Sequence, residues 1–254
     1  TVLSTKVYGN TSDWPNDRRA SARHLRHACE ASLRRLRTDH IDIFHLHHVD
    51  RTTTWEEIWE AMDVLRQQGK ILYVGTSNHA GWHLAKAQET AARLGTLGIV
   101  CEQDIYNLVE RRAELEVLPA CDDYGIALLP WSPLHSGLLG GILARPPAEA
   151  TPTPLPGAAV APSRAARTRA LERHRPALEQ FEAACREWGL APADIALAWL
   201  LGRPGVCAPI IGPRTVEHLD ASVAALDVAL EPEMLTRLDE IFPGPGPAPE
   251  AYAW

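Results

Sequence analysis

Lys6, His47, Ser77 with Asn78, Gln103, Trp131 with Ser132, and Gly212 with Arg214 all stand where an apolar or β-branched run gives way to turn residues. Facing one space, this set would supply a cation, an imidazole, several hydroxyl and amide groups, and one flat indole. It could cradle an amide-bearing aromatic ring and move a proton beside it. Gly212-Pro-Arg214 precedes an apolar-periodic segment, so backbone N–H groups at a helix start could receive a phosphate while the Arg guanidinium grips it bidentately. Each feature has a plainer explanation. A lone Lys or His at a strand end is commonly a solvated loop residue, a Trp in an apolar run is commonly core, and Gly-Pro-Arg is commonly a turn. Their recurrence at successive strand ends favours a shared site. A rival set is metallic: His45 and His47 share one strand face, with His79 and His135 just past later strands, a pattern compatible with Zn²⁺. It lacks a carboxylate at the last strand end, and no metal is expected.

These positions require a particular frame. Ile41-Asp-Ile-Phe-His-Leu-His-His-Val-Asp50 reads as a short strand apolar on both faces, as in a parallel sheet, with His47 and His48 at its C-terminal end. Val2-Leu-Ser-Thr-Lys-Val-Tyr8 reads as a strand closed by Gly9-Asn10. Between them, Ser21 N-caps a helix whose apolar stripe is Leu25, Ala28, Cys29, Ser32, Leu33 and Leu36. Thr54 and Glu57 form a capping box ahead of Trp55, Ile58, Trp59, Met62 and Leu65, and Gly69 stops that helix. The alternation continues with strands at 71–77, 98–103, 126–131 and 206–211, helices at 81–94, 113–124, 169–188 and 192–201, and a last helix opened by Gly212-Pro-Arg-Thr-Val216 and running to Leu226. The Pro/Ala/Gly-rich stretch 138–168 reads as a long loop, 231–241 as an extra helix, and 243–254 as a tail.

Six strand-helix units with no Gly-x-Gly-x-x-Gly after a strand favour a (β/α)8 barrel over a doubly wound dinucleotide fold. The expected architecture is a single α/β barrel domain over 1–254. Its first two units would be absent, so roughly 60–80 residues would precede Thr1 at about 30 or more per unit. A barrel opened in this way would expose two strand edges and apolar helix faces, which favours a homo-oligomer.

Composition narrows the function. Hydrophobic residues make up 46% and charged residues 22%, ordinary for a globular protein, and the net charge of −7 without a basic tract argues against nucleic acid or an anionic membrane as partner. No apolar run reaches the ~18 residues of a membrane span. Five scattered cysteines suggest buried thiols in a reducing cytoplasm.

Five stretches resemble the aldo-keto reductases: Ser32-Leu-Arg-Arg-Leu-Arg-Thr-Asp-His-Ile-Asp-Ile-Phe-His-Leu-His47, Gly69-Lys-Ile-Leu-Tyr-Val-Gly-Thr-Ser-Asn78, Glu102-Gln-Asp-Ile-Tyr-Asn107, Pro130-Trp-Ser-Pro-Leu134 and Pro209-Ile-Ile-Gly-Pro-Arg214. The similarity is greatest to the bacterial branch related to potassium-channel β subunits and to reductases of nucleotide-sugar and antibiotic pathways. The resemblance implies NADPH-dependent reduction of an aldehyde, ketone or keto-sugar in a (β/α)8 barrel, in secondary metabolism. It assigns Lys6 as the lysine that lowers the pKa of an acid tyrosine, and His47 as the histidine that orients the substrate carbonyl. Ser77, Asn78 and Gln103 would hold the nicotinamide carboxamide, and Trp131 would lie beneath the ring. Ser132, Leu134 and Gly137 would follow the pyrophosphate, and Gly212 and Arg214 would meet the 2′-phosphate.

Two departures stand out. The aspartate and tyrosine of the family's tetrad have no counterpart assigned in 1–254, and Tyr8 does not fill that role. His218, Ala221 and Ser222 also replace the Gln, Glu and Asn common around the adenine. Trp14, His48, Tyr252 and Trp254 are candidates for the substrate pocket. A polypeptide that truly began near Thr1 would suit a binding or auxiliary subunit, or a cofactor-independent enzyme, instead.

Overall fold

The computed structural model describes residues 1–144, 164–248 and 250–253. These fall into two compact units, 1–104 with 113–129 and 248–254, and 105–112 with 130–247.

The first unit carries a five-stranded parallel sheet in simple sequential order: β1 (Ser4–Val7), β2 (Ile41–Leu46), β3 (Ile71–Ser77), β4 (Ile99–Gln103) and β5 (Ala127–Leu128). Each crossover between neighbours carries a helix: α1 (Ala22–Leu36), α2 (Trp55–Gln67), α3 (Gly81–Leu94) and α4 (Val117–Tyr124). Sequential parallel order with a helix per connection is how a (β/α) barrel wall is built.

The α1 helix begins where expected, with Ser21 Oγ accepting from His24 N–H at 3.3 Å. Thr54 likewise caps α2 by accepting from Glu57 N–H. The capping box is only half made, however. The Glu57 carboxylate instead accepts from Ala22 N–H at 2.9 Å, so it closes the N-terminus of α1. An acid at that position also meets the positive end of the α1 dipole. Arg37 at the end of α1 and Gly69 beyond α2 take positive φ, which ends the helical hydrogen-bond pattern.

Three expected elements are altered by proline. The helix foreseen at 113–124 is an α-helix only from Val117, preceded by a 3₁₀ turn at Arg112–Glu114. Pro119 explains this: it lacks an N–H and is tolerated only in a helix's first turn, so a start at 113 would have placed it inside. The strand foreseen at 126–131 pairs only over Ala127–Leu128, because Pro130 cannot donate to a ladder. The strand foreseen at 206–211 reduces to bridge residues at Val206 and Ile210, the latter parallel to Trp131, Pro209 again removing a donor.

In the second unit, α5 (Arg164–Trp188) starts five residues before the expected 169, cutting into the predicted loop, whose residues 145–163 lie outside those described. The helix expected to open at Gly212–Val216 and run to Leu226 is α7 (Val216–Ala224), starting only at Val216, plus a 3₁₀ turn at Ala225–Asp227. The others are α6 (Pro192–Leu201), α8 (Pro232–Ile241) and the four-residue α9 (Glu250–Ala253), which belongs to the first unit. The core of the second unit gathers around Trp199, fully buried on α6. Arg111 and Arg203 lie over its ring at 5.2 and 5.0 Å, and Tyr106 packs at 5.4 Å. Arg111 also donates to Asp239 and to the Phe242 carbonyl, so its charge is spent inside the fold. Four cysteines are buried, whereas Cys207 is exposed, contrary to the expectation of buried thiols throughout.

On the helix-covered side of the first unit's sheet, Phe44, Leu46 and Val74 are buried, as are Ile58, Trp59 and Met62 of α2 and Leu84 of α3. Trp59 is 1% exposed and donates its indole N–H to the Ala87 carbonyl at 3.0 Å, tying α2 to α3. The same layer holds a polar cluster. Glu102 Oε1 accepts from His79 N–H at 3.0 Å, and His79 Nδ1 donates to the Ser77 carbonyl at 2.9 Å. Glu102 Oε2 stands 4.0 Å from the same imidazole, a separation that would count as an ion pair if both were charged. They are not. Burial pushes the Glu102 carboxyl up to about 8 and the His79 imidazole down to about 4, so the contact is between two neutral groups.

Two outcomes follow. Trp59→Ala should lower the unfolding free energy by about 3–5 kcal/mol in urea denaturation, and Trp59→Phe by clearly less. For Glu102, a folded-state pKa near 8 against an ordinary 4.5 means the folded state holds the extra proton between these values. Its contribution is present at low pH and is lost as pH rises through 8. His79, folded near 4 against 6.5, acts oppositely but only below 6.5. Between pH 6.5 and 8 the Glu102 term therefore stands alone of the two, and Glu102→Gln should reduce the fall in Tm across that window. An identical slope in both proteins would refute the assignment.

Candidate active site

Pairing register brings the first unit's candidate residues onto one face. Lys6 is in register with His45, His45 with Gly75, and Gly75 with Cys101. Two residues further on, Ser77 is in register with Gln103, and His47 follows the end of β2 with its N–H donating to the Val7 carbonyl at 3.0 Å. Side chains alternate along a strand, so these two levels share the face opposite Phe44, Val74 and Glu102.

Lys6 is exposed by area, yet protein atoms crowd its ammonium enough that desolvation lowers its pKa, with the Cys101 thiol opposing. His47 is half-buried, and its pKa is lowered by burial first and by the charges of His48 and Lys6 second. His47 therefore sits neutral at pH 7, stacked on His48 with ring centroids 4.4 Å apart. Tyr8 meets His48 edge-on at 5.2 Å.

The turn after β3 is held in three directions. Asn78 adopts φ 61°, a left-handed conformation that Asn tolerates better than most residues. Its backbone N–H donates to the Gln103 carbonyl at 3.0 Å, and its side-chain Nδ2 donates to the His47 carbonyl at 3.1 Å and to Ser77 Oγ at 2.9 Å. Asn78 thus binds the ends of β2, β3 and β4 together, with Glu102 pinning the next residue from the other face.

In the second unit, Trp131 is half-buried and bridges Ile105 and Ile210. The turn that follows has Ser132, His135, Ser136 and Gly137 all at positive φ. Three such residues that are not glycine store strain, which the surrounding bonds must offset. Ser132 supplies two of them: its carbonyl accepts from Asn107 Nδ2 at 3.0 Å and its Oγ from Ser136 N–H at 3.2 Å. Leu134 accepts at its carbonyl from Gly137 N–H at 2.8 Å. Gly137, at φ 88°, is the position where an L side chain would be most strained.

Gly212, Arg214 and His218 are exposed, along the approach to α7 and its first turn. Nothing lies within 4 Å of where a Gly212 side chain would begin, so no protein atom demands glycine there. Thr215 caps the helix by accepting from His218 N–H at 3.2 Å. Ser222 donates its hydroxyl to the His218 carbonyl at 2.8 Å, so that proton is committed to the helix backbone and only the oxygen's acceptor capacity is left.

Some expectations separate from the rest. Trp14 is 72% exposed on the loop after β1, and among the described residues no ring contact or side-chain bond ties its indole to the other candidates. His48 is exposed beside His47. The Tyr252 side chain and Trp254 lie outside the described residues. The metallic reading loses its geometry: His79 lies on the helix-covered side against Trp55 and His83, away from the His45 face, and among the described residues no group of three or more His, Cys, Asp or Glu could hold a metal ion.

Sequence reasoning missed Gly75 and Glu102 and cast His45 only as a metal ligand. The available signal was a polar residue within an otherwise apolar strand. A histidine or glutamate there must be paired or neutral, and either condition marks it for scrutiny.

Comparison with known proteins identifies the family. The model of the "Aldo/keto reductase family" matches residues 1–242. An "Uncharacterized oxidoreductase" of Bacillus subtilis is 48% identical over 258 residues, covering 100% of this chain and 76% of the relative. A "Versiconal hemiacetal acetate reductase" of Aspergillus parasiticus is 35% identical, covering 92% of this chain and 66% of the relative. A "Probable voltage-gated potassium channel subunit beta" of Arabidopsis thaliana is 30% identical, covering 99% and 76%. The family's fold is the (β/α)8 barrel, of which the sequential parallel sheet and its helices are the expected wall, and this chain belongs to the aldo/keto reductase family.

Proposed function

We propose that this protein is an NADPH-dependent reductase of a small carbonyl compound. The observation that carries the reading is the polar face of the first unit's sheet, where Lys6, His47, Ser77 and Gln103 stand on successive rungs instead of apolar residues. A barrel strand end is where such residues meet a ligand.

The residues fit a nicotinamide cofactor. A carboxamide offers N–H donors and a carbonyl acceptor. Gln103 Oε1 has no hydrogen-bond partner among the described residues, and Ser77 Oγ accepts from Asn78, which leaves its own O–H to donate. The second unit's Trp131 offers an aromatic plate, its strained turn with Ser132, Leu134 and Gly137 suits the pyrophosphate, and the exposed Arg214 suits a 2′-phosphate. His218 and Ser222 would flank the adenine. When bound, the cofactor supplies hydride. The chain's own contribution is to hold the carbonyl: neutral His47 donates an N–H to its oxygen, and Lys6 keeps positive charge near the oxygen as electron density develops there. His48 and Trp14 would line the substrate side.

A place in secondary metabolism is part of this reading, and a cytoplasmic setting is supported by the buried free cysteines. Among the described residues no helix is long and apolar enough to cross a membrane.

Titration with NADPH and NADH, followed by indole fluorescence, tests the reading. NADPH should quench saturably in the micromolar range and bind at least about tenfold more tightly than NADH, a difference of about 1.4 kcal/mol. Arg214→Ala should shrink that preference, and Trp131→Phe should reduce the quenching. No binding of NADPH at millimolar concentration would refute it.

A further inference from the structure

His45 has no part in the reading above, although it sits within the same face. It is completely buried, and its ring occupies the space in which a side chain at Gly75 would begin: a Cβ there would lie 2.5 Å from Nδ1 and 2.6 Å from Cε1. Glycine at 75 is what admits an imidazole at 45. The ring then has two polar neighbours. Nδ1 faces the Thr76 carbonyl at 3.4 Å, and Nε2 faces Gln103 Nε2 at 3.4 Å.

The order of these contacts fixes every proton. A carbonyl can only accept, so Nδ1 carries the hydrogen and donates to Thr76. Burial, reinforced by the charge of Lys6, holds the imidazole neutral at a pKa of about 4, so Nε2 is an acceptor. An acceptor there requires the amino end of the Gln103 amide, whose Nε2–H donates to it. The other end, Oε1, must then point away from His45.

Resting on the cofactor reading, we propose that His45 is a positioning residue that sets the flip of the Gln103 amide, so that this site presents an acceptor and selects a pyridine ring whose 3-substituent carries N–H. A carboxamide has this donor. An acetyl group of the same shape does not, and would set a methyl group or a second acceptor against Oε1. Selectivity of this kind arises because a buried acceptor left unpaired loses its water without replacement.

The test compares the affinities of NADP⁺ and its 3-acetylpyridine analogue for the full chain by indole quenching, in wild type, His45→Leu and His45→Gln, with circular dichroism and Tm recorded for each. Wild type should favour the carboxamide by about tenfold. His45→Leu frees the amide to rotate, and should bring the ratio below about threefold. His45→Gln can turn its own carbonyl oxygen toward Gln103 Nε2, and should restore most of the ratio. A role limited to packing would lower Tm and weaken both dinucleotides equally, leaving the ratio unchanged. An unchanged ratio in His45→Leu, a ratio lost in a folded His45→Gln, or equal binding of the two by wild type, overturns this inference alone. Binding of neither dinucleotide by wild type overturns it together with the cofactor reading.

Discussion

The constraint on which the first unit depends is the register between β2 and β3. It is set by a side chain that is missing. With no Cβ at Gly75, the His45 ring lies across the neighbouring strand, and this fixes which rung of β3 meets which rung of β2. A slip of one residue would turn every side chain to the opposite face. On a slipped β3, Ser77 would then point into the apolar layer beneath α2 and α3, and Val74 would point away from it. The polar face and the core are thus two consequences of one alignment.

A second regularity is that the polar groups buried in this sheet are uncharged. His45 and His79 are held below their ordinary titration range, and Glu102 above its own, by loss of water on both faces. Lys6 at the rim and surface pairs such as Arg93 with Glu56 carry formal charge. This division suits a site that must stabilise charge appearing on a substrate oxygen. Neutral donors and acceptors of fixed orientation contribute a field without requiring their own counterions.

Much of this was legible in the sequence. The strand ends at His47, Ser77 and Gln103 follow from short apolar runs bounded by turn residues, and the helix starts at Ser21 and Thr54 from capping chemistry. Three of the misses were governed by proline: Pro119 delayed α4, Pro130 truncated β5, and Pro209 reduced the sixth strand to isolated bridges. In each case the apolar pattern was right and the missing N–H outweighed it. The site was less legible where a role depends on a partner far along the chain. Nothing near position 45 announces that its ring would meet Gly75 and Gln103, and nothing near 222 shows a hydroxyl already spent on its own helix.

The bond from Glu57 to the backbone of Ala22 carries a last consequence, for the order in which the chain acquires structure. Glu57 belongs to the first turn of α2, yet it completes the first turn of α1, 35 residues earlier. The start of α1 therefore gains its full complement of hydrogen bonds only after the following strand has been laid down and α2 has begun. Here the α1 unit is finished by the one synthesised after it. Such overlap couples the fraying of neighbouring helices, so that local opening spreads in blocks of two units, not one.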